Sequence, residues 1–488
     1  MATALPPANA SVSFVPAGLG STADLASTIE RVDAPYVVFG TSATVEPDQL
    51  ARQQRYLDAH PTRPFQNWIG VDDSGVPDER RYREAIDLIA TLLRRGVPPP
   101  SAVMLRRDVV RDALSNTGSR PGHVSRSTAD LQIALSSCLS YAIAGPEYVQ
   151  IGPSDACNAR CLFCIHHSPL VHPNGAPRKG MLQWDAWRAC LDDLATLGVP
   201  RIDYVGIGEP LMHPRIDDAL AYGSTKFRQQ MISNGLLLDK HLDAVAAHLD
   251  WLTISLNALT PAVQHALHLT GERGFTRTVD AIRALVAMPG RRPQVSISFV
   301  VTKDNFRQIA DLPAFCRDLG IQAGLTPLGA YEETVDRLAL DPSEEQELFD
   351  LLSALEATSD HRIVNLSQFR AWHDRDTSYV SRKIPCYVGL IFAQIRGDGS
   401  VSHCCACDEG AVGNIHERGF ADIWRSVEYR RFRKDALFTM LETQSSLPGC
   451  HCDICGFASE SIRVHNRIHE TTLTMASLKA SPVLSAAG

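Results

Sequence analysis

Tyr148-Val149-Gln150-Ile151-Gly152-Pro153-Ser154-Asp155-Ala156-Cys157-Asn158-Ala159-Arg160-Cys161-Leu162-Phe163-Cys164 is the stretch from which the rest of the chain can be read. Its apolar, β-branched opening reads as a strand, and Gly152-Pro153 ends it, so the cysteines fall in a loop at the strand's C-terminal end. Cys157, Cys161 and Cys164 are spaced CxxxCxxC. A zinc site usually uses paired CxxC knuckles or adds histidines. Three clustered thiolates instead suit an iron-sulfur cluster with one open iron, able to take a cofactor through its amine and carboxylate.

Working outward, residues 148–151, 202–207, 230–233, 251–256, 295–302 and 323–328 are strand candidates separated by amphipathic helical stretches. Two of those stretches, 184–197 and 306–319, are stopped by Gly198 and Gly320, which supply left-handed caps. Such alternation predicts parallel strands with right-handed crossovers, and a run of six predicts an α/β fold with a partial (β/α)6 barrel over 147–340. Ligands then belong at the C-terminal strand ends. Residues 1–146 read as a small α/β domain with an apolar run at 36–39 and helical patterns at 49–59 and 81–95. Residues 341–470 read as a linker helix, 342–357, followed by a cysteine-bearing domain, and 471–488 as a frayed tail.

Composition narrows the function classes. The 488 residues carry 47 Lys plus Arg against 55 Asp plus Glu, a net charge of −8 with no basic run, which argues against nucleic acid. No apolar stretch approaches the roughly 20 residues of a membrane span, and the first twenty residues lack the layout of a secretory signal. A cytoplasmic location is expected. Thirteen cysteines in a reducing compartment then point to metal or catalysis rather than disulfides.

The first knot, with Phe163 as its aromatic member, resembles the CxxxCxΦC motif of the radical S-adenosylmethionine superfamily. Gly208-Glu209-Pro210, after the second strand, resembles the superfamily's GGEP-like motif, with Ile207 in place of its first glycine. Ser233-Asn234 and Ser255-Leu256-Asn257 resemble its polar segments after the third and fourth strands, and Val300-Val301-Thr302 with Asn305 the stretch beside the adenine. The resemblance implies a [4Fe-4S] cluster on the three cysteines, S-adenosylmethionine as cofactor, and a reductant such as flavodoxin or ferredoxin. It implies a 5′-deoxyadenosyl radical that removes a hydrogen atom from substrate.

A second group follows. Cys386 and Cys404 flank a hairpin pattern with a turn at Arg396-Gly397-Asp398-Gly399, and Cys450, Cys452 and Cys455 form CxCxxC. Together with Gly413-Asn414-Ile415 and Asp422-Ile423-Trp424 this resembles the SPASM or twitch extension. It implies one auxiliary [4Fe-4S] cluster on Cys386, Cys404, Cys452 and Cys455, a zinc ribbon being the alternative. Cys405, Cys407 and Cys450 are spare.

The stretches 34–39, 47–50 and 102–107 resemble a truncated family-2 glycosyltransferase domain, with Gly40-Thr41-Ser42-Ala43 where an Asp-x-Asp would stand. The combination leads us to expect hydrogen abstraction from a sugar-like carbinol carbon of a small molecule in natural-product (antibiotic) biosynthesis. Epimerisation is preferred, with Cys405 or Cys407 returning the hydrogen. Two-electron dehydrogenation of an aminocyclitol or sugar alcohol is the alternative, with Glu332 or Glu333 as base. A peptide maturase and a non-catalytic iron-sulfur or zinc scaffold are the remaining readings.

Overall fold

The computed structural model describes residues 144–480 except 176–179, 330–332, 359–360, 367–368, 370–376, 408–409, 451 and 453–454, and upstream 12–15, 36–39, 65–67, 88–89, 91–92, 103–106 and 128–139. Upstream, β1 (Val12–Val15), β2 (Tyr36–Phe39), β3 (Phe65–Asn67) and β4 (Val103–Arg106) form a sheet in the order β1-β2-β4-β3. β1 and β2 are parallel and the other two pairings antiparallel. The helix expected at 49–59 and the segment 40–43 lie outside the described residues.

The barrel strands are β5 (Tyr148–Ile151), β6 (Arg201–Tyr204), β7 (Arg228–Ser233), β8 (Trp251–Ser255), β9 (Gln294–Val301) and β10 (Gln322–Pro327). All five neighbouring pairs are parallel and lie in chain order, so the sheet has no reversal point and curls as a partial (β/α)6 barrel. Burial alternates along the strands. Ile202, Tyr204, Met231, Leu252, Ile254, Ile297, Phe299 and Leu325 are buried on the helix-covered face. The intervening positions are mixed: Gln150, Asp203, Gln230, Thr253, Ser298 and Thr326 are half-buried and Ser296 is buried, and Ile232, Trp251 and Val300 share their face, so hydroxyls and amides stand there among apolar side chains. Strands covered by hydrophobic layers on both faces would instead read as continuous apolar runs.

Helix ends follow local chemistry. The helix Trp184–Thr196 stops where Gly198 takes φ 72°, and the helix Pro342–Glu356 starts at a capping box between Asp341 and Glu344. Residues 306–319, expected as one helix, are a 3-10 turn at Phe306–Ala310 and a helix at Leu312–Leu319. Pro313 in the first turn of the second piece lacks the N–H that a continuous helix needs there.

The second cysteine region does not stand apart from the barrel. β11 (Phe392–Ile395) pairs in parallel with β5, and β12 (Ser400–Ser402) and β13 (Ala411–Asn414) continue outward as an antiparallel meander, making one nine-stranded sheet. A helix at Ala458–His469, unforeseen in sequence, closes this end; its Arg467 reaches Glu147 at 2.5 Å and Asp130 of the helix Thr128–Leu139. The tail is not frayed throughout. Residues Met475–Ala480 form a helix whose Leu478 is buried with Val380, Ile384, Ala458 and Ile462, because the apolar face of the preceding helix needs a cover.

Candidate active site

Loops leaving the C-terminal ends of β5 to β8 converge on a cavity of about 250 Å³. Cys157, Cys161, Phe163, Cys164, Gly208, Glu209, Ser233, Asn234, Ser255 and Asn257 all line it. Pro210 does not. It is buried at the first position of the 3-10 turn Pro210–Met212, where its missing N–H costs nothing. Asn305 is turned away from the cavity. Its amide donates to the carbonyls of Asn257 (2.8 Å) and Val300 (2.7 Å) and so ties the ends of β8 and β9 together.

Two glycines let the loops after β5 and β6 touch. A Cβ on Gly208 would lie 2.3 Å from the Ala156 carbonyl oxygen, and one on Gly206 would lie 2.5 Å from the Gly152 Cα. Ile207, between them, is buried and lines the cavity, which accounts for the departure from a Gly-Gly motif. Glu209 is 3% exposed and accepts from Leu211 N–H (3.1 Å), Ser233 Oγ (2.8 Å) and Asn234 N–H (2.7 Å). A carboxylate has about four acceptor positions, so these three donors fix its orientation and leave room for a further one, such as an ammonium. Burial nevertheless pushes its pKa up, outweighing the hydrogen bonds.

All three thiols are desolvated. Burial raises Cys157 to about 11 and moves Cys161 and Cys164 up as well, so without a cation to offset their charge they hold their protons. Sequence reasoning missed His268. It is 1% exposed, lines the cavity, and stands edge-on to Phe163 with centroids 5.5 Å apart. Its Nδ1 is 3.2 Å from Cys161 Sγ and its Nε2 is 2.8 Å from the Asn257 amide. Burial lowers its pKa to about 4. No local signal marks it, because a histidine in the last turn of an amphipathic helix, as His265 and His268 both are, reads as a cap or core residue. His167 and Ser298 also line the cavity and were not singled out.

A second set of thiols gathers beyond β11. Cys386, Cys404, Cys405, Cys452 and Cys455 lie close enough to shift one another's ionisation. Burial pushes Cys386 to about 11 and raises Cys455, while Ser461 donates to Cys386. Cys404 donates to Cys405, which raises the former and lowers the latter.

The expected hydrogen donors do not fare well. Cys407 is joined to Cys450 in a disulfide, so it has no thiol hydrogen to give, and Cys405 sits among the second set of thiols rather than on the cavity wall. Of the expected bases, Glu332 lies outside the described residues, and Glu333 opens the 3-10 turn Glu333–Leu338.

A family model described as the radical SAM superfamily matches residues 151–316, and one described as an iron-sulfur cluster-binding domain, SPASM, matches residues 386–455. The chain carries a radical SAM domain and a SPASM domain. Among relatives, this chain is 25% identical over 313 residues to the tungsten-containing aldehyde ferredoxin oxidoreductase cofactor-modifying protein of Pyrococcus furiosus, covering 59% of this chain and 83% of that one. It is 31% identical over 147 residues to a GTP 3′,8-cyclase of Chlorobaculum tepidum, covering 29% of this chain and 42% of that one. Among solved structures it is similar to Streptococcus suis SuiB bound to S-adenosylmethionine, with a TM-score of 0.47 at 16% identity over 76% of this chain and 87% of that one.

The radical SAM domain implies S-adenosylmethionine and a [4Fe-4S] cluster, the SPASM domain implies auxiliary iron-sulfur, and radical SAM enzymes use a reductant. The residues present fit that complement. Three soft donors face one cavity beside a pre-oriented carboxylate, and a second thiol set lies where the SPASM match falls. Among the described residues no helix is long and apolar enough to cross a membrane.

Proposed function

We propose that this protein is an enzyme that removes a carbon-bound hydrogen from a small polar substrate held in the barrel. The observation that carries the chemistry is the convergence of Cys157, Cys161 and Cys164 with Glu209, Ser233, Asn234 and Asn257 on one cavity. On this reading the three cysteines hold the [4Fe-4S] cluster, Glu209 accepts from the ammonium of S-adenosylmethionine, and Asn234 and Ser255 meet its polar groups. When loaded, the first cluster supplies the electron that releases methionine and the 5′-deoxyadenosyl radical, and the auxiliary cluster supplies an electron acceptor. The chain's own part is to orient the reacting atoms and to exclude water; the loop contacts through Gly206 and Gly208 serve the second role.

The substrate class is read from the concave face of the barrel, where the polar side chains Gln230, Thr253, Ser298 and Thr326 stand beside Ile232 and Val300. Such a mixed wall offers hydrogen-bonding partners to a polyhydroxylated, sugar-like molecule together with apolar surface for its ring face. With Cys407 in a disulfide and Cys405 away from the cavity, oxidation of a carbinol to a carbonyl is favoured over epimerisation. Anaerobically reconstituted protein with dithionite should form 5′-deoxyadenosine, and a scaffold would form none. Run in heavy water with candidate sugars and aminocyclitols, the oxidation gives a product two mass units lighter. Inversion with deuterium at one carbon would restore the epimerase reading, and turnover of peptides alone would overturn the sugar.

A further inference from the structure

His268 stands at the end of a hydrogen-bonded line whose polarity can be fixed from the backbone outward. Val300 N–H donates to one side-chain amide atom of Asn257 at 2.6 Å, and a backbone N–H can only meet an acceptor, so that atom is Oδ1. The other amide atom, Nδ2, faces His268 Nε2 at 2.8 Å and has only hydrogens to offer. His268 Nε2 must therefore accept, which places the ring proton on Nδ1. That N–H lies 3.2 Å from Cys161 Sγ. The backbone of Asn257 is held on both sides: its N–H donates to Gln264 Oε1 at 3.0 Å and its carbonyl accepts from Asn305 at 2.8 Å.

We propose that His268 is a positioning residue that donates a hydrogen bond to the Cys161 thiolate and thereby sets the reduction potential of the first cluster. The inference rests on the reading of Cys157, Cys161 and Cys164 as cluster ligands. A hydrogen bond to a ligand sulfur withdraws charge from the cluster and stabilises its reduced form, so it raises the potential. The same line runs from β9 through Asn257, a wall residue of the cavity, and links that wall to Cys161 through two hydrogen bonds. His268 also belongs to the helix Pro261–His268, whose last carbonyls accept from Arg160 N–H (3.1 Å) and Leu162 N–H (2.8 Å), so the helix holds the cysteine loop from both sides of Cys161.

The test is an EPR-monitored redox titration of the reconstituted full chain, with the auxiliary cluster as internal control. His268→Leu should shift the first cluster's midpoint to more negative potential, leave the auxiliary midpoint in place, and His268→Gln, whose amide can still donate, should recover most of the shift. Equal midpoints in wild type and His268→Leu, or equal shifts in the two variants, would overturn the proposal. Should His268→Leu fail to assemble its cluster, the wild-type protein labelled with 15N-histidine serves instead. Pulsed EPR of its reduced first cluster should show a weak histidine nitrogen coupling and an exchangeable proton, and absence of both defeats the idea. If the signal attributed to the first cluster persists when Cys157, Cys161 and Cys164 are all replaced by alanine, it is the ligand assignment that fails.

Discussion

The carboxylate of Asp155 accepts a hydrogen bond from the backbone N–H of Gly397 at 3.2 Å, across 242 residues of sequence. Its other oxygen accepts from Gly180 N–H at 3.0 Å. One buried side chain, 1% exposed and two residues ahead of Cys157, thus clasps the first cysteine loop to the hairpin turn that precedes Cys404.

Asp155→Ala leaves two backbone donors without an acceptor. Each orphaned buried N–H costs on the order of 1–3 kcal/mol, so a clear fall in the urea midpoint is expected, with Asp155→Asn intermediate. An unchanged midpoint for the alanine variant would show that water replaces the clasp at no cost.

Gly208→Ala forces a Cβ against the Ala156 carbonyl at 2.3 Å, where only backbone can yield. Overpacking of this kind costs roughly 1–3 kcal/mol, and here the strain falls on the loop that leads into Cys157. Iron content at the first centre should drop and 5′-deoxyadenosine formation should fall at least about tenfold, as about 1.4 kcal/mol of misplacement would give. Wild-type rates with full iron would contradict the close approach.

For the second centre, we expect the Cys157, Cys161 and Cys164 triple alanine variant to retain about four irons per chain, as a single remaining cubane would give. Adding Cys386→Ser or Cys455→Ser should bring iron near zero, whereas adding Cys405→Ser should not. Bound zinc in place of iron would replace the cluster by a zinc ribbon, and loss of iron with Cys405→Ser would make that residue a ligand.

Two buried imidazoles and a half-buried one make the apo-protein acid-sensitive. Burial lowers His268, His403 and His465 to about 4 from an ordinary 6.5. Between those values the unfolded chain binds protons that the folded chain refuses, so stability is full above pH 6.5 and declines as pH falls toward 4. The measurement is Tm of metal-free protein across that window. His465→Gln, which removes the ring that meets Tyr387 Oη at 2.9 Å, should soften the decline. A flat Tm from pH 6.5 to 4.5 would count against burial as the cause.

What could be read without coordinates is what neighbouring residues encode among themselves. The six strands fall on short apolar, β-branched runs between helical patterns, and each lies within about three residues of its expected bounds because such runs are written locally. The spacing of Cys157, Cys161 and Cys164 and the Gly208-Glu209-Pro210 turn are equally local, and the resemblance built on them pointed to the right superfamily. Other features depend on packing over long distances. Nothing in 392–395 says that it will pair with 148–151, because an edge strand offers the same N–H and C=O groups to any partner and the choice falls to the whole sheet. Cys407 is one thiol among thirteen cysteines until the fold brings Cys450 to it. His268, 107 residues from Cys161, is indistinguishable in sequence from a core histidine; only the crossing of a helix end over the cysteine loop, with Asn257 holding the ring's far nitrogen, turns it toward the sulfur.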